Sequence, residues 1–377
     1  MPLITIFASP KPFTNPHIDL IQRNAIQSWV QLGSEVEVFL MGQEVGLAEA
    51  AAELGVRHFP EVRRTPELKT PYVSSMIETA RQNSQSAAVG STGRRAELVE
   101  APLVSEAGST ADRCALVNER SSPLLLCINA DVILLPEFLN AARALLVWQK
   151  ANPAAANFLM VGPRWDLDVR QPLDFSPGWD ERLRAELRAR GRTHPPLGSD
   201  YFLFPRHDFK DIPDFAMGRS AWDNWMIYHH RVNHWPVIDA TFATNVIHQD
   251  HDYSHLPGSR PPYRLPETLE NIRLAGGRRC LFYIQDADYR LHYPPSALST
   301  SDSLLPVNEE AVYPERIPVR GKKILREIEI FPLVTLHSIP LAEATNFIYH
   351  PVEAFKEWRG RLAYKFKQLA RRLLPRR

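Results

Sequence analysis

The chain has 377 residues, 44% hydrophobic and 23% charged, which is typical of a soluble globular protein. Its formal charge of +1 argues against a bulk nucleic-acid binder, and three widely spaced cysteines support neither a disulfide framework nor a zinc-ribbon site. The first residues lack the features of a signal peptide and no apolar run has membrane-spanning length, so we expect a cytoplasmic protein.

The first part of the chain alternates between predicted strands and helices. Strands are predicted at 3–8, 34–42 and 56–62, and helices at 15–32, 45–55 and 70–80. Asn15 and Pro16 suit the N-cap and first position of the first helix, and Gly55 closes the second. This order predicts a parallel sheet with right-handed crossovers.

Residues 84–119 are rich in Ser, Ala and Gly, and we interpret them as a mobile surface insertion outside the chemistry. The pattern then resumes with predicted strands at 124–128, 158–165, 200–206 and 235–244, alternating with helices that end near 149, 191 and 232. The strand at 235–244 is predicted to be the last of the core. Recurrent prolines after Pro257 indicate irregular chain that wraps the core.

The strand at 124–128 leads directly into Asn129, Ala130 and Asp131. A carboxylate among apolar neighbours must be paired, hydrogen-bonded or metal-bound, because burying it unpaired costs several kcal/mol. Ligands of doubly wound sheets lie beyond the carboxyl ends of the strands, where both Asp131 and the loop from Ser9 fall. Glycine-rich phosphate-binding motifs are missing from the sequence, so a bound diphosphate would need a divalent cation held by carboxylates.

The element order, the acidic motif at Asp131, and the segments "GSDYFLFPR", "WDNWMIY" and "HQDHDYSH" resemble the GT-A glycosyltransferases, which use nucleotide-diphospho-sugars. The resemblance covers about residues 3–256. It implies an α/β fold with a Rossmann-like, mostly parallel sheet flanked by helices. It also implies hexosyl or related transfer from a nucleoside-diphosphate sugar to a glycan or lipid-linked acceptor, with Mn²⁺ or Mg²⁺ as cofactor.

By this resemblance, Asp131 would hold the metal and diphosphate, and Asn129, in place of the family's first acidic residue, would bind the ribose. A late His or Asp completes the metal shell in the family, and we favour His248 because it follows the apolar segment "TNVI". The other candidates are Asp250, His251, Asp252 and His255. The alternative is that these histidines cap a turn in a polar loop.

Three further residues are candidates for binding the nucleotide. Ser9 and Lys11 lie in the loop after the first strand, and Arg206 follows the strand at 200–206. A solvated surface charge is the alternative interpretation of Lys11 and Arg206. Asp166 and Asp168 also mimic the acidic motif after a strand, and they are the second choice for the metal site.

Asp223 is the leading catalytic candidate, as the base that deprotonates the acceptor hydroxyl in an inverting transfer. Ser220 and Asp223 also match a helix capping box, which would explain the carboxylate without catalysis. Trp222 and Trp225 favour a catalytic role if their rings form a platform for a sugar. Asp200, at the start of its strand, is the second catalytic candidate, with a turn role as its alternative.

Two classes of function follow. The first is a metal-assisted glycosyltransferase, and the second is a non-catalytic GT-A-like protein that binds sugar nucleotides or serves as a scaffold, suggested by the incomplete acidic motif. A nucleotidyltransferase is a weaker rival, because its glycine-rich, Lys-containing first loop is missing.

We divide the chain into a catalytic domain at 1–256, a proline-rich extension at 257–352 that packs on the core, and a basic amphipathic helix at 353–377. The helix carries nine Lys or Arg and two Glu, so its charge is +7 and that of the remainder is −6. Its apolar residues share one face: Phe355, Trp358, Leu362, Phe366, Leu369 and Leu373. This face either docks on the domain or binds an anionic membrane, peripheral to the inner face of the cell membrane.

Overall fold

The computed structural model describes residues 1–84, 122–196, 198–251, 265–292 and 312–373. These residues contain ten α-helices: α1 Pro16–Val30, α2 Leu47–Glu53, α3 Val73–Asn83, α4 Glu137–Ala151, α5 Trp179–Arg190, α6 Trp222–Val232, α7 Pro266–Leu274, α8 Lys322–Val334, α9 Ile339–Tyr349 and α10 Pro351–Leu373. The predicted insertion lies outside the described residues beyond Ser84.

Thirteen strands form two sheets in the same residues. The strands are β1 Ile4–Ala8, β2 Val36–Met41, β3 Arg57–Phe59, β4 Leu124–Ile128, β5 Val132–Ile133, β6 Leu159–Val161, β7 Trp165–Leu167, β8 Arg192–Thr193, β9 Tyr201–Pro205, β10 Val237–Asp239, β11 Ile247–Gln249, β12 Tyr289–His292 and β13 Tyr313–Arg316. The large sheet has the order β13-β12-β10-β6-β9-β4-β1-β2-β3, and the small sheet has the order β5-β11-β7-β8.

The large sheet is mostly parallel, and β9 and β13 run against their neighbours. Apolar layers cover both of its faces, because alternate residues of each strand point to opposite sides. In β1, Ile6 packs on the side of α1 and α4, and Phe7 packs on the side of α3 and α6. The predicted α/β class with a mostly parallel sheet flanked by helices is confirmed.

Local sequence determines how α1 begins. The Asn15 side chain accepts hydrogen bonds from the backbone N–H groups of His17 at 2.9 Å and Ile18 at 3.2 Å, and Pro16 occupies the first helical position. These contacts satisfy backbone donors that no helical carbonyl can reach. Helix α1 therefore begins directly after the loop that carries Ser9 and Lys11.

The C-terminal part is more regular than its prolines indicated. Strand β12 pairs with β10 and β13 pairs with β12, so both extend the large sheet. The predictions that the strand at 235–244 is the last of the core and that irregular chain follows Pro257 are therefore wrong for these segments. Among the described residues, no helix is both long enough and apolar enough to cross a bilayer.

Candidate active site

Asp131 lies between β4 and β5, at the edge where the parallel strands β1 and β4 both end. Its side chain is buried, with Lys11 Nζ 2.5 Å and His251 Nε2 3.0 Å from Oδ2. Burial alone would raise the pKa of the Asp131 carboxyl, but Lys11, His251 and His248 hold it well below its usual range. The buried group is therefore a carboxylate, paired as its apolar surroundings require.

His248 reaches the same carboxylate from the small sheet. It is the central residue of β11, paired with Val132 of β5 on one side and with Asp166 of β7 on the other. Its Nε2 is 3.9 Å from Asp131 Oδ1, and its Nδ1 is 3.4 Å from Asp166 Oδ1. The structure thus brings the favoured His248 to Asp131, and it places His251, not favoured from the sequence, even closer.

The donor set fits a divalent cation. Ligand atoms of Asp131, His248 and His251 all lie within 4.8 Å of one another. Asp131 Oδ1 is buried without a hydrogen-bond partner, so it is available to a cation. One carboxylate with two imidazoles suits Mn²⁺ better than Mg²⁺, which prefers oxygen ligands. Of the other candidates, Asp250 forms a second possible group with Asp166 and His248, but it also pairs with Arg192. Asp252 and His255 lie outside the described residues.

A polar network connects this cluster with Asn129 and Asp200. The Asn129 amide donates to Asp200 Oδ1 at 2.7 Å, and the guanidinium of Arg164 bridges Asp200 Oδ2 and Asp166 Oδ1. Asp200 reaches this edge because β9 is antiparallel, so that the first residues of β9 lie beside the end of β4. Arg164 was not identified from the sequence, where a single arginine before a short strand gives no signal.

Asp223 lies at the second position of α6, close enough to Asp200 for the two carboxylates to interact electrostatically. Burial raises the pKa of Asp223 to about 6, although it accepts backbone hydrogen bonds, including one from Ala221 at 3.1 Å; Asp200 adds a smaller effect in the same direction. A carboxyl with this pKa can take up and release a proton near neutral pH. Ala221, at the N-cap, has a φ of 95°, an unusual backbone conformation for alanine.

Two predictions about the start of α6 need correction. The reciprocal capping box is not formed, because Ser220 is not the N-cap and the N-cap residue Ala221 has no hydroxyl. Trp222 and Trp225 do not form a sugar platform, because both are buried, with their rings against Phe202 and Phe215. They anchor α6 in the core and thereby position Asp223.

Arg206, a nucleotide candidate, lies far from the site, and Asp168, part of the second choice for the metal site, lies apart from the network. Arg206 follows the far end of β9, where its backbone N–H bonds to Pro123 before β4, so it lies at the sheet edge opposite Asp131. The prediction that Arg206 meets the diphosphate is wrong for this reason. Asp168 pairs with Arg170 at 2.6 Å. Ser9 directly follows β1, on the same edge as Asp131.

A cleft of about 450 Å³ opens beside the cluster. It is lined by Asn15, His17, Ile18, Arg170, Asp250 and His251. Its volume is in the range of small-molecule sites, and one wall is the N-terminus of α1, where the helix dipole favours an anion. The cleft, the carboxylate cluster and the loop of Lys11 therefore form one continuous region.

No protein-family model and no curated protein matches the sequence. Solved structures with a similar fold include a mannosyltransferase from Pyrobaculum calidifontis in complex with GDP-Man and Mn²⁺, at 13% identity over 98% of this chain and 80% of that one, with a TM-score of 0.35. Glucosyl-3-phosphoglycerate synthase from Mycobacterium tuberculosis matches at 15% identity over 73% and 81% of the two chains, with a TM-score of 0.38. At these scores the likeness carries no argument about function, which rests on the side chains of this chain.

Proposed function

We propose that the chain is a GT-A-type glycosyltransferase that transfers a sugar from a nucleoside-diphosphate sugar with the help of a divalent cation. One observation carries the proposal. A buried carboxylate with an unpartnered oxygen, Asp131, lies with His248 and His251 at the edge where ligands of doubly wound sheets bind. A second carboxyl whose pKa is about 6, Asp223, interacts with the same network through Asp200.

The cation would be held by Asp131, His248 and His251, and Mn²⁺ suits this set better than Mg²⁺. When bound, it would neutralise charge on the diphosphate leaving group. Lys11 contacts the same carboxylate and is the nearest ammonium, so it would turn from Asp131 to the phosphates as the donor enters. The N-terminus of α1 would line the donor cleft, Ser9 would lie at the same edge of the sheet, and Asn129 would lie beside the ribose.

Asp223 would act as the general base of an inverting reaction. The acceptor oxygen attacks the anomeric carbon while its proton passes to the Asp223 carboxylate. The bond between that carbon and the diphosphate oxygen breaks, and the nucleoside diphosphate leaves with the electron pair. The raised pKa of Asp223 supports this role, because it strengthens the carboxylate as a base. The acceptor would be a glycan or a lipid-linked sugar.

The test combines donor binding with turnover. Calorimetric titration of UDP- and GDP-sugars should give binding that requires Mn²⁺, and binding should be followed by slow donor hydrolysis. Asp131→Asn should abolish the metal-dependent binding, because the amide keeps the shape and loses the charge. Asp211→Asn is the control: its carboxylate is exposed in the loop beyond the far end of β9, away from the cluster and the cleft, and the variant should bind normally.

Two results would contradict the proposal. If the donor binds with equal affinity with and without Mn²⁺, the proposed metal site is wrong. Metal-dependent binding without hydrolysis or transfer to any acceptor in a mixture of glycans and lipid-linked sugars would indicate a non-catalytic sugar-nucleotide-binding protein instead.

A further inference from the structure

We propose that helices α8, α9 and α10 form a docking surface for an anionic lipid bilayer. Fifteen of the 23 exposed large apolar side chains in the described part of the chain lie in these helices or in the loop between α8 and α9. They include Leu325 at 61%, Ile348 at 75% and Phe366 at 62% exposure. Such a concentration marks an interaction surface, whereas single exposed apolar residues elsewhere need no explanation.

Helix α8 is apolar on two opposite faces. One face packs into the core through Ile330, Leu333 and Val334. The other exposes four large side chains at helical spacing: Ile324, Leu325, Ile328 and Phe331. Ion pairs hold the helix in this orientation, with Arg326 bonded to Asp286 at 2.7 Å. The exposed face is therefore fixed outward by the same contacts that bury the inner face.

Helix α10 carries the apolar stripe predicted from the sequence, and the members of the stripe from Phe355 to Leu369 are exposed. The helix packs against α9 beside the stripe, where Ala354 is 1% exposed and Arg361 pairs with Glu343. The exposed stripe consists of Val352, Phe355, Trp358, Leu362, Phe366 and Leu369. The alternative that this stripe docks on the domain is therefore wrong for these side chains.

The charges favour an anionic partner. Residues 353–377 carry +7, and Lys356, Arg359 and Lys365 are exposed beside the stripe. The acids of α8 and α9 are engaged within the protein, with Glu327 on Arg231, Glu329 on His350 and Glu343 on Arg361. An amphipathic helix with aromatic and aliphatic residues on one side and basic residues around it is typical of interfacial membrane binding.

A bilayer suits this surface better than a second copy of the chain. A symmetric dimer would place the same basic residues against each other, which costs free energy, whereas an anionic leaflet attracts each one by about 1 kcal/mol. Helix α10 has 23 residues and would extend about 34 Å along the membrane plane. Its apolar face would lie at the boundary of headgroups and acyl chains, with Trp358 at the level where indole rings are enriched.

The test is co-sedimentation of the full chain with vesicles of phosphatidylcholine alone or with about 30% phosphatidylserine. The protein should pellet with the anionic vesicles at low salt and be released at about 0.5 M salt. The double variant Trp358→Glu, Phe366→Glu should bind at least about tenfold more weakly, because charges enter the apolar face. The matched control is Val45→Glu, Val147→Glu, which adds the same charges at exposed apolar sites of the body and should bind with only a small electrostatic loss.

A second measurement locates the contact. Bromine-labelled acyl chains should quench part of the tryptophan fluorescence, and Trp358→Phe should remove that part although seven other tryptophans remain.

The inference is wrong if the chain does not pellet with anionic vesicles at low salt, or if the tail variant binds as well as the control. If vesicle binding is missing and the chain instead forms a dimer without lipid, the surface binds a second copy. The variant Trp358→Glu, Phe366→Glu should then abolish that dimer. The inference does not depend on the glycosyltransferase activity. Asp131→Asn should bind vesicles normally, so each proposal can fail alone.

Discussion

The side-chain amide of Asn129 donates a hydrogen bond to Oδ1 of Asp200 at 2.7 Å. The GT-A resemblance implied an acidic residue at position 129. The asparagine found there suggested an incomplete metal- and nucleotide-binding motif. The contact gives the amide a structural reason, because a carboxylate at 129 would face the carboxylate of Asp200. Asn129 is therefore matched to its neighbour, and the replacement gives no support to a non-catalytic protein.

Asn129→Asp should destabilise the fold by about 1–3 kcal/mol, because it exchanges a partly buried hydrogen bond for two like charges. The double variant Asn129→Asp, Asp200→Asn should recover part of that loss, since the same bond forms in the opposite direction while the ion pair between Arg164 and Asp200 is lost. Chemical denaturation of the three variants measures this coupling. Additive effects in the double variant would show that the two side chains do not interact.

Asp223→Asn should reduce turnover by about 100-fold or more and leave donor affinity unchanged, because only the general base is removed. Wild-type turnover should rise with pH through about 6, as the Asp223 carboxyl loses its proton. The rate of the variant should lack this dependence. A purely structural Asp223 would give near-normal turnover and the same pH profile in both proteins.

The same substitution should stabilise the fold near neutral pH. Because the pKa of Asp223 is raised in the folded state, the folded protein binds this proton more tightly than the unfolded chain does. The stability that the bound proton gives is fully present below the unfolded pKa of about 3.8 and is lost as pH rises through about 6. Asparagine has no such loss, so Asp223→Asn should gain about 1–2 kcal/mol at about pH 8 and progressively less toward about pH 4. Thermal melting across this range measures the effect.

Ser220→Ala is the matched variant for the capping interpretation. It should change stability by less than about 0.5 kcal/mol, since Ser220 does not cap α6, whereas loss of a true cap costs about 1 kcal/mol. If Ser220→Ala lowers the free energy of unfolding by about 1 kcal/mol, Ser220 does cap the helix and the capping interpretation is correct.

Lys11→Met should increase the Mn²⁺ affinity of the nucleotide-free protein by about tenfold, because the ammonium that competes for Asp131 Oδ2 is removed. It should also weaken donor binding, because a cation that would meet the diphosphate is lost. Metal and donor titrations measure the two effects separately, and Lys150→Met, on the exposed surface of α4, is the control. Weaker metal binding in Lys11→Met would show that Lys11 supports the metal site instead of competing for it.

Local signals in the sequence predicted the elements that lead to the site. Asn15 and Pro16 specify the start of α1 through their own backbone contacts, and the apolar run before Asn129 specifies β4 because both of its faces are covered. The direction of β9 could not be read in this way, because an apolar strand has the same pattern in either direction. The reversal puts Asp200 beside Asn129 and Arg206 at the opposite edge of the sheet, and the catalytic role of Asp200 stays a prediction.

Local sequence pattern also could not show whether His248 or His251 lies closer to Asp131. His248 is positioned by strand pairing, whereas His251 returns to Asp131 through the course of the chain after β11. Strands β12 and β13 are four residues each, too short for a clear alternation of apolar and polar residues. Strand β12 joins the sheet through β10, which is distant in sequence, and β13 joins it through β12.

The antiparallel insertion of β9 also bears on how the chain is made. Strand β4 pairs with β1 early in synthesis, but its other side is covered by β9, which leaves the ribosome roughly 70 residues later, or about 4–15 s at usual translation rates. Strand β6 emerges in between and borders β9 on the opposite side. During this interval both strands present open, apolar hydrogen-bonding edges, which are prone to pair with other chains. Nascent protein stalled before Tyr201 should therefore depend on chaperones far more than protein released after Pro205.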